Sequence, residues 1–187
     1  MIKRVLFLGA AALAMTATST IAADASRLRF MVPAQASYTG ESLGAADPAT
    51  TEASGINIQY VHSSGFGIGY HNTISFKMTY PDGEYLDFQN ASFVDLSYLF
   101  GGELTGQIVV GTLIGHGDTE SGGLSGETST SPVEEKSGTA FGLNVGYEYS
   151  FPFGKYEALL GYRSESLTLN SADVSRTLIL VGLGKTF

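Results

Sequence analysis

Apolar residues and small or polar ones alternate without a slip along residues 138–151, GTAFGLNVGYEYSF. Thr139, Phe141, Leu143, Val145, Tyr147, Tyr149 and Phe151 share one face, and Ala140, Gly142, Asn144, Gly146, Glu148 and Ser150 the other. A period of two is a strand with two unlike sides. The pattern recurs and predicts eight strands, over 27–38, 54–63, 66–80, 85–100, 104–117, 137–151, 156–169 and 173–187. The connectors after the second, fourth and sixth are short: Ser64-Gly65, Gly101-Gly102-Glu103 and Pro152-Phe153-Gly154-Lys155. Those after the first and fifth, 39–53 and 118–136, are long and polar, and DTESGGLSGETSTSPVEEK reads as a mobile segment that cannot bury a core. Compact turns near Pro81-Asp82-Gly83 and Asn170-Ser171-Ala172 share the long-loop side. One end of the predicted sheet thus carries tight turns and the other carries the loops.

The two faces of each strand decide which solvent they meet. On 104–114, Thr105, Gln107, Val109, Gly111 and Leu113 oppose Leu104, Ile108, Val110, Thr112 and Ile114. On 66–78, Gly67, Gly69, His71, Thr73, Ser75 and Lys77 oppose Phe66, Ile68, Tyr70, Ile74, Phe76 and Met78. On 86–100, Asp87, Gln89, Phe93, Asp95 and Ser97 oppose Leu86, Phe88, Val94, Leu96, Tyr98 and Phe100. A water-facing side would be crowded with Lys and Glu. Here the polar side is rich in Gly, Ala, Ser and Thr, which suits the narrow interior of an eight-stranded barrel. Aromatics gather near strand ends: Phe66, Tyr98, Phe100, Tyr149, Phe151, Tyr156 and Phe187 at the short-turn end, and Tyr38, Phe76, Tyr80 and Phe141 at the loop end. Two such girdles are expected where rings straddle headgroup and hydrocarbon. The fold class read from the pattern is all-β, an eight-stranded antiparallel up-and-down transmembrane β-barrel with its apolar side facing lipid.

The first residues and the charge agree with export. Lys3 and Arg4 precede an apolar run from Val5 to about Ala17, followed by small residues. This is the layout of a cleaved secretory signal peptide, assigned to residues 1–23, with the barrel domain over 24–187. Without Lys3 and Arg4 the remainder carries eight basic residues against eighteen acidic ones, which argues against a nucleic-acid partner. There is no cysteine, so no disulfide stabilises the exported chain.

The last strand, DVSRTLILVGLGKTF, places Thr177, Ile179, Val181, Leu183 and the final Phe187 on one face. It resembles the terminal strand of Gram-negative outer-membrane β-barrels, where an alternating apolar strand ending in Phe is the signal read by the barrel-assembly machinery. Lys185 stands where an aromatic is more usual. In architecture the whole remaining chain is similar to the small eight-stranded barrels of the OmpA transmembrane-domain, OmpX and opacity-protein type. That resemblance implies a place in the outer membrane among its lipids and lipopolysaccharide, both termini in the periplasm, and assembly by the barrel-assembly machinery.

Strand parity puts Arg29, Lys77, Arg163 and Arg176 inside the barrel with Asp87, Asp95, Glu148, Glu157 and Glu165. Charges in so confined a space must pair, since a lone desolvated one costs several kcal/mol. The expectation is an ion-pair network that plugs the lumen, and the alternative is a narrow ion or solute path of porin-like kind. A third reading, an enzyme acting on lipid A, would need a nucleophile and a base within reach. The candidates are His62 with Ser63, His71, and His116 with Asp118 and Ser121, and none matches an acyl-transfer spacing. Catalysis is therefore not expected. The three scattered histidines give no metal-ligand spacing, and no cofactor is expected. Glu41, Asp47, Glu52, Asp118, Glu120, Glu127, Glu134 and Glu135 make the long connectors acidic, which reads first as a charged, solubilising coat; the functional alternative is that 118–136 is an exposed recognition element in contact with host or neighbouring-cell surfaces.

Overall fold

The computed structural model describes residues 25–38, 47–123, 128–132, 135–169 and 172–187. The expected signal peptide, Glu41, Glu127 and Glu134 lie outside the described residues.

The strands are β1 (Arg27–Tyr38), β2 (Thr50–Val61), β3 (Phe66–Thr79), β4 (Tyr85–Gly101), β5 (Leu104–Gly115), β6 (Asp118–Gly122), β7 (Thr128–Pro132), β8 (Glu135–Phe151), β9 (Gly154–Leu169) and β10 (Ala172–Thr186). Eight of them form an antiparallel ring in the order β1, β2, β3, β4, β5, β8, β9, β10, closed by the pairing of β10 with β1. Beyond the ends of β1 and β10, Ser26 and Phe187 exchange a pair of backbone hydrogen bonds. Two tight turns rest on glycine at positive φ, Gly65 at 89° and Gly101 at 100°, a region that side-chain-bearing residues avoid.

The segment expected to be structureless, 118–136, instead contains β6 and β7. β6 continues the register line of β5 past an interruption at His116-Gly117: Ser92 faces Gly115, and Phe88 faces Thr119. At the interruption the Gly117 N–H donates to the Gln89 carbonyl at 3.1 Å. β7 then folds back on β6 as a hairpin strand. Ser and Thr cannot build a core, but they can continue a ladder whose other edge already exists.

The alternation holds through the short-turn half of every ring strand. Arg27, Arg29 and Met31 point inward while Leu28, Phe30 and Val32 point outward, and the same holds for Asn57 and Gln59 against Ile58 and Tyr60. On the remaining ring strands Leu104, Val145, Leu160, Val181 and Leu183 are exposed on the outer face. The outward positions from Ile179 through Val181, Leu183 and Lys185 of β10 to the following Phe187 are apolar except for Lys185 and span about 20 Å of height at a rise near 3.3 Å per residue and a tilt near 40°.

Above this band the outer face changes character. Ser37 pairs with Thr177, Thr177 with Ser164, Thr139 with Ser166 and Thr112, and Ser92 with Asn72, tracing a hydroxyl and amide belt around the ring. The Ser92 hydroxyl is bonded by Asn72 Nδ2 at 2.8 Å and by Tyr70 Oη at 2.9 Å.

Near this level several strands carry a bulge, and here the expected parity fails. β1 shifts between Pro33 and Gln35, β3 carries Ile74 as an extra residue against β2, and Asn90 of β4 has φ near 60°. An extra residue moves everything beyond it to the other face. Tyr38 and Phe76, expected in the lipid-facing girdle, therefore turn inward, and Phe76 is fully buried. Lys77 and Asp87, expected in the lumen, turn to the outer side of the wall. There the Lys77 ammonium lies 4.0 Å from the Tyr85 ring centre, and Asp87 accepts from the Ser75 hydroxyl at 2.8 and 2.9 Å. The barrel wall thus has apolar residues outside and polar ones inside below the belt, with polar residues outside above it.

Because the chain has no cysteine, single cysteines can map that changeover. Cysteine placed at Thr177, Thr139 or Ser166 is expected to react with a membrane-impermeant maleimide in reconstituted vesicles. Cysteine at Val181, Val145 or Leu160 is expected to stay unlabelled until detergent is added, as read by a mass shift on a gel.

Candidate functional site

The interior is filled from the short-turn end upward. At the base, Arg27 of β1 lies 3.4 Å from Glu148 of β8 and 3.1 Å from Glu157 of β9. Glu148 also pairs with the more exposed Lys155 at 3.0 Å and accepts from the Thr186 hydroxyl at 3.2 Å. One layer up, Arg29 lays its guanidinium against Glu157 through Nε and Nη2, both at 2.8 Å, a bidentate pair. Its Nη1 donates to Gln107 at 2.8 Å and Nη2 to Thr105 at 3.0 Å. Asn144 and Ser97 extend this network through Gln107.

A second cluster sits higher, after the apolar side chains of Met31, Leu159 and Leu180. Arg163 of β9 bonds Asp95 of β4 through Nη1 at 2.8 Å and Glu165 through Nε at 2.6 Å. Arg176 of β10 donates through Nε to the other Glu165 oxygen. His71 of β3 places Nε2 3.4 Å from Glu165 and 3.0 Å from the Thr73 hydroxyl, as a hydrogen-bonded interior histidine. Asn57 donates to Asp95 at 3.2 Å. Two guanidinium groups thus meet two carboxylates, so the cluster is balanced in formal charge, the condition under which buried charges persist.

Aromatic rings close the cluster from the loop side. The Arg163 guanidinium carbon lies 4.9 Å from the Phe93 ring centre, and that of Arg176 5.0 Å from Phe76. Met78, Phe88, Leu167 and Val174 complete a buried apolar cap around them. The inward glycines make the room. A Cβ at Gly111 would press on the Asp95 carboxylate and the Arg163 guanidinium, and one at Gly146 would sit 2.6 Å from the Thr105 hydroxyl and 3.2 Å from Arg29.

Of the expected interior charges, the structure brings Arg29 to Glu157, and Arg163 and Arg176 to Asp95 and Glu165, with Glu148 at the base. Lys77 and Asp87 are excluded for the reason given above. Arg27, which shares the parity of Arg29, joins them, as do the polar-face residues Gln107, Asn144 and Thr105, which carry no charge to mark them in the sequence. The contacts of the catalytic candidates are these. His62 turns its Nδ1 to Ser64, 3.0 Å from the hydroxyl, at a short turn. His116 packs edge-on against Phe88, with ring centres 6.2 Å apart, while Asp118 and Ser121 are exposed on β6. Among the described residues no cluster of three or more His, Asp or Glu forms a metal site. Glu120 accepts from the Tyr85 hydroxyl at 2.6 Å and from Gln89 at 3.2 Å, outside the wall, and the bonded carboxylate pushes the Tyr85 phenol pKa up. Phe187 is exposed, its ring 6.5 Å from Tyr60.

This is the architecture of the small outer-membrane β-barrels: eight antiparallel up-and-down strands closed into a ring. Among solved structures the chain is similar to Neisserial surface protein A, at 14% identity and a TM-score of 0.51, covering 87% of this chain and 96% of that one. It also matches Ail, the attachment invasion locus protein of Yersinia pestis, at 11% identity, 88% and 99% coverage and a TM-score of 0.45. The outer membrane protein W of E. coli matches at 11% identity, 90% and 100% coverage and a TM-score of 0.48. No protein-family model matches the chain, and no curated protein does.

Replacing Glu165 by Gln leaves Arg163 and Arg176 facing each other with one carboxylate fewer. The expected loss is about 3–5 kcal/mol, the range for breaking a buried pair on one side. Lys77→Ala, outside the wall, is expected to cost about 1 kcal/mol or less. Urea unfolding of both variants in lipid vesicles, followed by the gel shift of the heat-modifiable barrel, measures the difference.

Proposed function

We propose that this chain is an integral protein of a Gram-negative outer membrane that acts through its outer rim, with a barrel that is a closed support and not a conduit. The observation behind this reading is the filling of the lumen. Two ion-pair layers separated and capped by apolar side chains leave the guanidinium groups bonded to carboxylates and covered by Phe76 and Phe93. An ion crossing this interior would have to displace bonded partners in a desolvated space, and eight strands leave no width beyond what side chains fill. The polar surfaces available to a partner are the extension above the belt and the β6–β7 hairpin.

The apolar band would face outer-membrane lipid, with the Ser/Thr belt at the lipopolysaccharide headgroups and the hairpin reaching out toward host or neighbouring-cell surfaces. The terminal Phe187, outward on β10, would serve the barrel-assembly machinery during insertion, and the assigned signal peptide would direct export.

Reconstituted into planar bilayers, the protein is expected to show no steady conductance. Sustained nanosiemens-scale steps would overturn the closed-support reading in favour of a small pore. Smaller flickering seen only after Arg163→Ala or Glu165→Ala would place the closure in the ion-pair layer.

A further inference from the structure

The lower edge of the apolar band, at the short-turn end, is not level. The line of paired residues that starts at Arg27 passes through Val61, Gly67, Ser97, Val109, Gly142, Arg163 and Leu178 and re-enters β1 at Ala36. One circuit, from residue 27 to residue 36, climbs nine residues, roughly one per strand, which at about 3.3 Å per residue sets the tilt near 40°. Against that line the uppermost apolar residues Tyr70, Val94, Val110, Phe141, Tyr162 and Ile179 lie within about 4 Å of one height. At the other edge, Phe66 of β3, Phe100 of β4, Leu104 of β5 and Phe187 after β10 lie within about 6 Å. Phe151 of β8 stands about 6 Å below Phe187 and about 12 Å below Phe66. Six successive outward positions of β8, from Phe141 to Phe151, are apolar and span about 25 Å. Three on β3, Phe66, Ile68 and Tyr70, span about 10 Å.

The added length is the end of the β8–β9 hairpin. The ladder of β8 with β5 stops at Leu104 opposite Tyr147, beyond which the Glu148 N–H donates to the Glu103 carbonyl at 2.9 Å. From Tyr149 to Phe151, β8 pairs with β9 alone. The tip reads Phe151-Pro152-Phe153, where the other tight turns read Ser63-Ser64-Gly65 and Gly101-Gly102-Glu103. Phe153 is 72% exposed and stacks on Phe151, with ring centres 5.4 Å and planes 10° apart. Tyr156 meets both rings edge-on, at 5.8 and 5.7 Å.

We propose that this hairpin end is a lipid anchor. Phe151, Phe153 and Tyr156 take the boundary between headgroups and hydrocarbon in the periplasmic leaflet, which therefore reaches lower beside β8 than beside β3. Two observations choose lipid as the occupant. The rings prolong, without a polar break, the outward row Phe141, Leu143, Val145, Tyr147 and Tyr149, so the medium that meets that row meets them too. The inner side of the same hairpin end is polar, with Ser150 and with Lys155 3.0 Å from Glu148. A soluble partner approaching along the barrel axis would meet that polar side, while a medium beside the wall meets the rings. Aromatic side chains are those favoured at such a boundary. The short row on β3 is matched by a locally thinner bilayer, the usual response to a short apolar span. The aromatics of the short-turn end thus follow a slope and not a level girdle.

The inference deepens the outer-membrane reading above and rests on it, and one experiment separates the two. The chain has no tryptophan, so a single introduced indole reports alone. Val145→Trp, Phe153→Trp and Ser64→Trp are refolded in phosphatidylcholine vesicles, with and without lipid brominated high on its acyl chains, and the heat-modifiable gel shift checks each fold. Val145→Trp, in the middle of the β8 row, is expected to emit to the blue of free tryptophan and to lose emission to the bromolipid. Phe153→Trp is expected to show a blue shift and a loss comparable to those of Val145→Trp. Ser64→Trp, on the turn between β2 and β3, is expected to emit as in water and to lose nothing. Water-like emission from Phe153→Trp beside a quenched Val145→Trp would overturn the anchor and leave the membrane reading standing. Blue emission from Phe153→Trp without quenching would mean that protein covers the ring, and would overturn the anchor as well. Equal quenching at Ser64 and Phe153 would overturn the slope. An unquenched Val145→Trp would overturn the membrane reading itself.

Discussion

A strand that crosses hydrocarbon has no water to satisfy its N–H and C=O groups, so each must be paired by a neighbouring strand. For this chain that requirement forces closure of the sheet, from the backbone bonds of Ser26 with Phe187 at one end of the β1–β10 contact to Arg176 opposite Tyr38 at the other. Once the ring has eight strands the rest follows. The interior is too narrow for bulk water and too polar in sequence to stay dry and empty, so it fills with side chains that pair their charges, while Asp95 Oδ1, Arg163 Nη2 and both Nη atoms of Arg176 are left without a hydrogen-bond partner. The β1–β2 ladder, from Arg27 opposite Val61 to Met31 opposite Asn57, stops near the upper edge of the apolar band, beyond which the requirement relaxes.

The filling obeys a second constraint, the cost of desolvating charge. Arginine serves here because its planar, forked guanidinium can bond two carboxylate oxygens and still present a face to an aromatic ring. Arg29 uses the fork on Glu157, while Arg163 and Arg176 share Glu165 and lie over Phe93 and Phe76. Lysine, a point charge on a flexible stem, appears instead at the wet margins. Lys155 sits at the short-turn end with more than half its side chain exposed, and Lys77 lies on the outer wall above the belt. Inward glycines at 111 and 146 are the space in which those planes lie.

Much of this was legible in the sequence, and the boundary of legibility has a physical location. Below the belt each strand keeps strict parity, so Arg29, Asp95, Glu157, Arg163, Glu165 and Arg176 could be assigned to the interior by counting in twos. Arg27 obeys the same count. Above the belt the count fails without any visible break: Ile74-Ser75-Phe76-Lys77-Met78 alternates smoothly through the bulge. What changes there is a backbone conformation, and the positive φ of Asn90 opposite it leaves no trace in hydropathy. The hairpin β6–β7 escaped for a related reason. Its Ser, Thr and Gly residues have no apolar period, and they are ordered by an edge of β4 that only the folded ring supplies.

The bulges at Ala34 and Ile74, with the positive-φ Asn90 opposite Ile74, are therefore more than irregularities of the wall. A chain with one fixed parity could satisfy lipid outside or water outside, but not both along one strand without changing its residue classes on both faces. β2, β8, β9 and β10 take that second route. Their phase is constant through the belt (β8 shifts register only above it, between Glu135 and Ser137), and Ser54, Thr139, Ser164 and Thr177 take over the outer positions that Ile56, Phe141, Tyr162 and Ile179 hold below. β1, β3 and β4 take the first, shifting phase so that Tyr38, Phe76 and Phe88 turn inward to roof the ion pairs. The roof excludes water from Arg163, Arg176 and Glu165. Exclusion strengthens their mutual attraction and raises the cost of losing any one of them. The same residues that let the wall extend into water thus hold the charged interior shut.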